Sequence, residues 1–320
     1  MCEHKVNFCH SFQTRPAKSI EDQQLKKRVA TSLNKLKTIH SHISSNLKKL
    51  RNKRKKKQMD ELSSFFFSRY SLVVAQNKED RETCFSTRHE VYCEEMNFEK
   101  ERSTGLEIDR YDDYSVNCYI KHLPTGDCAG TIRIIMPAIR HQALPLEEKC
   151  IHAIEDKALV PAQLGRTSIC EISRLAIPKS FRVRQLKAKA PFKPSGKQKM
   201  SKAESVLLEH IPYLSLALYF IALSICVEQE MEYAYVLMEP KLARRLKMFG
   251  FNFERLGDPI DYNGLRAVYR IKPKSIESEL TPALRSFLMR IKSDLAGSLT
   301  ENMFGSTMKA EEEFTASKAA

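Results

Sequence analysis

Residues 88–115, RHEVYCEEMNFEKERSTGLEIDRYDDYS, place a run of carboxylates and aromatics behind one early arginine, in a chain whose formal charge is +14. Either those carboxylates form a solvated face or they are arranged around a site. Arg88 decides between the two. Residues 78–96 (KEDRETCFSTRHEVYCEEM) read as a helix with acidic residues in its first turn. On that helix Phe85, Arg88 and Tyr92 fall at i, i+3 and i+7, which is one stripe. Arg88 thus sits between two aromatics on the face expected to be buried. A buried guanidinium left unpaired costs several kcal/mol. Glu107, Asp109, Asp112 and Asp113 lie downstream to pair with it. The acidic segment is therefore predicted to serve inward-facing arginines.

Two more arginines lie on strand-like runs. Residues 114–137 (YSVNCYIKHLPTGDCAGTIRIIMP) read as a β-hairpin around the turn PTGD. On its second strand Thr131 and Arg133 share one face, while Ile132 and Ile134 share the other. Residues 168–178 (SICEISRLAIP) form a further strand stopped by proline, and it carries Glu171 and Arg174. These two are three residues apart, so a regular strand would point them to opposite faces. They can line one site only if a β-bulge intervenes. Three arginines and their carboxylates predict one polar network, and chemistry alone leaves open whether it is structural or catalytic.

Outward from this centre, residues 69–76 (RYSLVVAQ) read as a strand. Residues 183–204 (VRQLKAKAPFKPSGKQKMSKAE) read as a mobile basic loop. Residues 211–227 (IPYLSLALYFIALSICV) are apolar all round. That favours a buried core helix over a membrane span, for which the run is short. A strand follows at 233–239, then a short helix opened by Pro240 with Gly250 as its C-cap, a strand at 265–273 and a helical stretch at 275–297. The order is β-α-β-β-β-loop-α-β-α-β, with no internal repeat, GxGxxG or Walker loop.

The N-terminal region is different in kind. Leu25, Val29, Leu33, Leu36, Ile39, Ile43, Leu47 and Leu50 recur every three or four positions, giving one stripe of a basic amphipathic helix that runs into KKLRNKRKKKQ. It either packs on its own domain or offers a platform to an acidic partner or a membrane surface. The basic run has no interleaved aromatics and no helix-turn-helix signature, which argues against nucleic acid. A non-catalytic basic binding protein remains the reading from another class. The predicted division is 1–60 for the helical extension, 61–275 for the main domain and 276–320 for a C-terminal helix with a frayed tail. Nine cysteines with no CxxC spacing predict neither zinc nor disulfides and a reducing cytosol. The first residues lack the charged-then-apolar order of a signal peptide.

The combined order R..VYC.E..FE (88–99), E.D.YD..S (107–115), G..R (130–133) and E.SR (171–174) resembles the acyl-homoserine lactone synthases. It is still more similar to the N-acyl amino acid synthases associated with PEP-CTERM/exosortase systems. Both are branches of the GNAT acyltransferase superfamily, and the resemblance runs from about Phe65 to Lys272. It implies an α+β GNAT-like fold with a mostly antiparallel sheet, splayed at its central strands and flanked by helices. It implies transfer of a fatty acyl group from a thioester to the amine of an amino acid, with acyl-homoserine lactone synthesis as the neighbouring alternative. Arg88, Asp109, Asp112, Arg133 and Arg174 match the electrostatic cluster on the amine-acceptor side. Phe98 stands where the lactone synthases usually carry tryptophan.

No covalent intermediate, metal or bound cofactor is implied; the acyl thioester is a co-substrate. Glu171 is the expected base, acting directly or through a water, unless it is locked to Arg88 or Arg133 for structure. The cysteines have no histidine at helpful spacing and are poor nucleophiles. A glycine-poor, lysine-rich loop at 183–204 suits the phosphopantetheine arm of an acidic acyl carrier protein better than the pyrophosphate of coenzyme A, or else is a surface insertion. The acceptor's carboxylate is expected at Arg88 or Arg133. The protein is expected in the cytoplasm, with contact to the inner membrane face through the basic helix as a further reading.

Overall fold

The computed structural model describes residues 59–187 and 213–299, with scattered positions between 37 and 57. The chain divides into two compact units, Met1–Arg54 and Lys55–Ala320. In the first unit the described positions are helical and include the exposed Leu50; the rest of the amphipathic stripe lies outside the described residues.

The second unit is built on an eight-stranded sheet. Its strands are β1 (Tyr70–Val74), β2 (Ser115–His122), β3 (Cys128–Ile135), β4 (Ile169–Ala176), β5 (Tyr233–Met238), β6 (Glu254–Arg255), β7 (Ile260–Asp261) and β8 (Leu265–Ile271). They run in the order β1-β2-β3-β4-β5-β8-β6, with β7 beside β8. Every pairing is antiparallel except β4 with β5. That parallel pairing holds only over Ile169–Glu171 against Tyr233–Tyr235, although both strands continue. The sheet therefore splays between them, as expected for a GNAT-like fold. β6 and β7 were not legible as strands, because two residues are too short for an alternating pattern.

The helices are α1 (59–69), α2 (Lys78–His89), α3 (Pro145–Lys149), α4 (Lys179–Lys187), α5 (Tyr213–Glu228), α6 (Pro240–Lys247), α7 (Pro273–Glu279) and α8 (Pro282–Leu299). On one face of the sheet the main core joins Met59, Leu62 and Phe66 of α1, nearly all of α5, and Leu284, Phe287 and Leu288 of α8. α5 is thus a core helix, as its all-round apolarity predicts. Among the described residues no helix is long and apolar enough to cross a membrane. α2 packs on the opposite face through Cys84 and Phe85 against Tyr119.

Four expectations need correction. Residues 78–96 are not one α-helix: after His89 the chain winds as a π-helix over Glu90–Glu95. The wider turn aligns residues five apart, and His89 Nδ1 donates to Glu94 at 2.9 Å while its Nε2 accepts the Arg102 N–H. The expected basic loop begins late, because α4 carries helix through Lys187; its remaining residues lie outside the described ones. The C-cap of α6 is Met248, and Gly250 lies beyond it in the left-handed conformation at φ 100°. The C-terminal helical stretch is two helices, broken where Leu280 turns extended ahead of Pro282.

Between β3 and β4 the chain makes α3 and a series of single 3₁₀ turns, which seat Leu144, Leu146, Cys150 and Ile154 in a second core with Tyr111, Tyr235 and Val268. This segment is clamped from below: Glu155 N–H donates to Leu256 O at 2.9 Å, and a Cβ on Gly257 would run into the Ala153 carbonyl. Gly257→Ala is expected to cost about 1–3 kcal/mol in denaturant unfolding. An unchanged midpoint would show that the two segments separate freely.

Candidate active site

The charged cluster grows from local sequence logic. Asp109 caps a 3₁₀ turn at Arg110–Tyr114, accepting the Tyr111 N–H at 3.0 Å, while Asp112 accepts the Asp109 N–H at 2.9 Å in return. The cap turns the Asp112 carboxylate inward, where Arg88 grips it with two parallel bonds of 2.7 and 3.0 Å. Arg88 also binds Glu107, and its guanidinium lies over Phe85 at 5.1 Å. It is completely buried. The stripe on α2 therefore points where its spacing predicts.

Arg133 meets Asp109 at 2.6 Å, Asp112 at 3.1 Å and Ser173 Oγ at 3.2 Å. Arg174 binds Glu107 at 3.0 Å and Glu99 at 2.8 Å. Burial pushes Asp112 and Glu107 up, but Arg88 and its neighbours outweigh it, lowering Glu107 and holding Asp112 well below the usual carboxylate range. Asp113, the fourth carboxylate expected to pair, is exposed.

The predicted bulge is present. Thr131 pairs with Ala176 and Arg133 with Ser173, so two residues of β3 oppose three of β4. The extra residue falls at Arg174, whose φ of 51° is left-handed, a conformation costing about 1–2 kcal/mol for a residue with a Cβ. It re-aims the strand so that Glu171 and Arg174 both line one cleft.

That cleft, about 550 Å³, opens where β4 and β5 diverge. Its polar end carries Phe98, Asp109, Arg133, Glu171 and Arg174. Its apolar end is walled by Leu223, Leu242, Leu246, Phe251, Phe253 and Ile276. Arg88 lies behind the cluster and does not reach the cleft.

Glu171 differs from the other carboxylates. It is 4% exposed and in no ion pair among the described residues, so it is not locked to Arg88 or Arg133. Its Oε2 accepts the Leu146 N–H at 2.9 Å. Burial raises its pKa to about 7, against the opposing pull of that N–H and of Arg133 and Arg174. A carboxyl poised near neutrality can accept a proton in a cleft where its neighbours stay ionised.

The cysteines are inert by comparison. Burial raises Cys93 and Cys118, and Cys128 to about 11, while Cys170 is raised by its hydrogen bond to Cys226 and by burial. No group of metal-ligating side chains exists among the described residues.

Residues 87–189 match the acetyltransferase (GNAT) domain family. The fold is GNAT-like. The match covers the end of α2 with Arg88, the β2–β3 hairpin, the bulged strand β4 and α4. No curated protein matches the chain. Among solved structures it is similar to the AHL synthase LasI, at 15% identity over 66% of this chain and 94% of that chain, TM-score 0.47. It is similar to BjaI, a CoA-dependent acyl-homoserine lactone synthase solved with SAM and isopentyl-CoA, at 20% identity over 70% and 89%, TM-score 0.47. FeeM, an N-acyl amino acid synthase from uncultured soil microbes, aligns at 14% identity over 67% and 97%, TM-score 0.42.

Sequence reasoning missed the far wall of the GNAT cleft. Leu146, Lys149, Tyr262 and Arg266 reach it from α3, the β7–β8 turn and β8. Only Arg266 carried a signal, as a cation between the apolar Leu265 and Ala267.

Proposed function

We propose that the protein transfers a fatty acyl group from a thioester to the amine of an amino acid, the reaction of the synthases that the sequence resembles and that are associated with PEP-CTERM/exosortase systems. The observation that carries this is Glu171: a buried carboxyl in no ion pair among the described residues, with a pKa of about 7, at the polar end of a cleft between splayed strands.

In this reaction Glu171 takes a proton from the acceptor's ammonium, directly or through a water. The freed amine attacks the thioester carbonyl carbon, the C–N bond forms, and the C–S bond breaks as the thiol leaves with a proton. Where β4 and β5 stop pairing with each other, beyond Glu171 and Tyr235, the freed backbone N–H groups suit the developing oxyanion. The apolar end takes the acyl chain, and its size is that of an ordinary small-molecule site. Arg88 acts as a positioning residue: it fixes Asp112, which with Asp109 fixes Arg133. An acyl carrier protein is the donor that the lysine-rich segment after α4 favours by charge, with acyl-CoA the alternative thioester.

Mass spectrometry of lipids from cells expressing the chain, beside the Glu171→Gln variant, tests the reading. New N-acyl amino acids are expected with the wild type and not the variant. Acyl-homoserine lactones in their place would reassign the product. No new lipid from folded protein supplied with acyl carrier protein would defeat the proposal.

A further inference from the structure

Four arginines line the cleft; Arg245 is exposed on α6, and two of the other three are satisfied by the protein. Arg133 is held by Asp109, Asp112 and Ser173, and Arg174 by Glu107 and Glu99. Arg266 is not. It enters from β8 on the strand face of Val268, which packs in the core shared with Tyr235, the residue paired with Glu171. Its Nε is buried with no hydrogen-bond partner, and its guanidinium lies over the Phe98 ring at 5.8 Å. It forms no ion pair among the described residues, although four carboxylates line the same cleft. Glu99 and Asp109 are engaged by Arg174 and Arg133, Glu171 accepts from Leu146, and Glu239 is exposed at the start of α6. Lys149, with its Nζ 5.8 Å from the centre of the Tyr262 ring, adds a second cation to this wall.

A buried N–H without an acceptor is unfavourable and is completed by an anion. The planar fork of arginine matches a carboxylate, and a neighbouring ring restricts where that carboxylate can lie. We propose that Arg266, assisted by Lys149, receives the carboxylate of the acceptor, so that the amine acceptor is selected as an amino acid by its acid group. This rests on the acyl-transfer reading above. It moves the acid-binding role away from Arg88, which is sealed behind the cleft, and from Arg133, which already holds two aspartates.

The test uses the purified full chain with lauroyl thioesters of acyl carrier protein and coenzyme A, the twenty common amino acids, and the amide of the preferred one. The wild type is expected to favour the acid over its amide by about 100-fold or more in kcat/KM. Arg266→Gln should lower kcat/KM for the acid about 100-fold, through KM, and leave the amide unchanged, with part of the loss recovered in Arg266→Lys. Equal use of acid and amide by the wild type, or an equal loss on both in the variant, would overturn the proposal. Its Tm should match or exceed the wild type's, since an unsatisfied group is removed; a clear fall would make Arg266 structural and overturn the proposal too. Calorimetric binding of lauroylglycine and lauroylglycinamide needs no turnover and separates the two readings. Arg266-dependent binding of lauroylglycine alone, with no amine acylated, would keep this site and remove the acyl-transfer reading. Acylation by a variant that binds lauroylglycine as the wild type does would do the reverse.

Discussion

Glu171→Gln is expected to lower kcat/KM by about 10²–10⁴-fold and to abolish the rise in rate that the wild type should show through pH 7. The wild-type limb follows from the carboxyl's pKa of about 7: below it Glu171 keeps its proton and cannot take another. Glutamine can still accept the Leu146 N–H, so the loss reports the missing base rather than a collapsed site. The same substitution has a stability signature of opposite sense. Between pH 4.5 and about 7 the unfolded carboxyl has released its proton and the folded one has not, so wild-type stability falls as pH rises through this window. At pH 8 to 9 the burial of that charge costs about 3 kcal/mol, at 1.36 kcal/mol per pKa unit. The variant should therefore be the more stable protein at alkaline pH and lose its advantage towards pH 4. Denaturant melts at both pH values, beside a pH–rate profile, check this. An unchanged profile in the variant would remove Glu171 as the base.

Arg88→Met should have the largest effect on folding, about 3–5 kcal/mol, because it leaves Glu107 and Asp112 buried with part of their countercharge gone. Both carboxylates are held below their ordinary range in the folded protein, so the stability they contribute is present above pH 4.5 and is lost as pH falls towards their folded values. The Arg88→Met deficit should accordingly shrink in acid, where the wild type loses the same interactions. Urea titrations at pH 7 and pH 3 measure both quantities. A deficit that does not change with pH would assign the loss to packing against Phe85 rather than to the ion pairs.

The clustering of Arg88 with its carboxylates was legible because its determinants are local. The stripe on α2 aims one arginine inward, and the D-x-x-D spacing at 109 and 112 makes a turn that presents its side chains to that arginine. Alternation on β3 likewise separates Thr131 and Arg133 from Ile132 and Ile134, the latter two lying in the main core. The conflict at Glu171 and Arg174 was legible as a conflict: three residues cannot share a strand face without a bulge. The position of the bulge was not, because it depends on how β4 registers with β3.

Residues 136–168 show why the rest was hidden. Short 3₁₀ turns have no hydrophobic period, and the contact that matters, the Leu146 N–H on Glu171, spans 25 residues. Nothing near Leu146 marks it as a partner for a carboxyl. Arg266 is similar, since it becomes a cleft residue only when β8 pairs antiparallel with β5 beyond the end of the β4–β5 ladder. By itself the sequence determined which residues would be charged and buried together, because helix and strand periods act over a few residues. Only the tertiary structure decided which of those charges are left over for a substrate. Satisfaction is a property of the whole set of partners: Arg88 and Arg133 are neutralised by their own chain, while burial raises the Glu171 carboxyl to a pKa of about 7 and the Arg266 Nε is left without an acceptor.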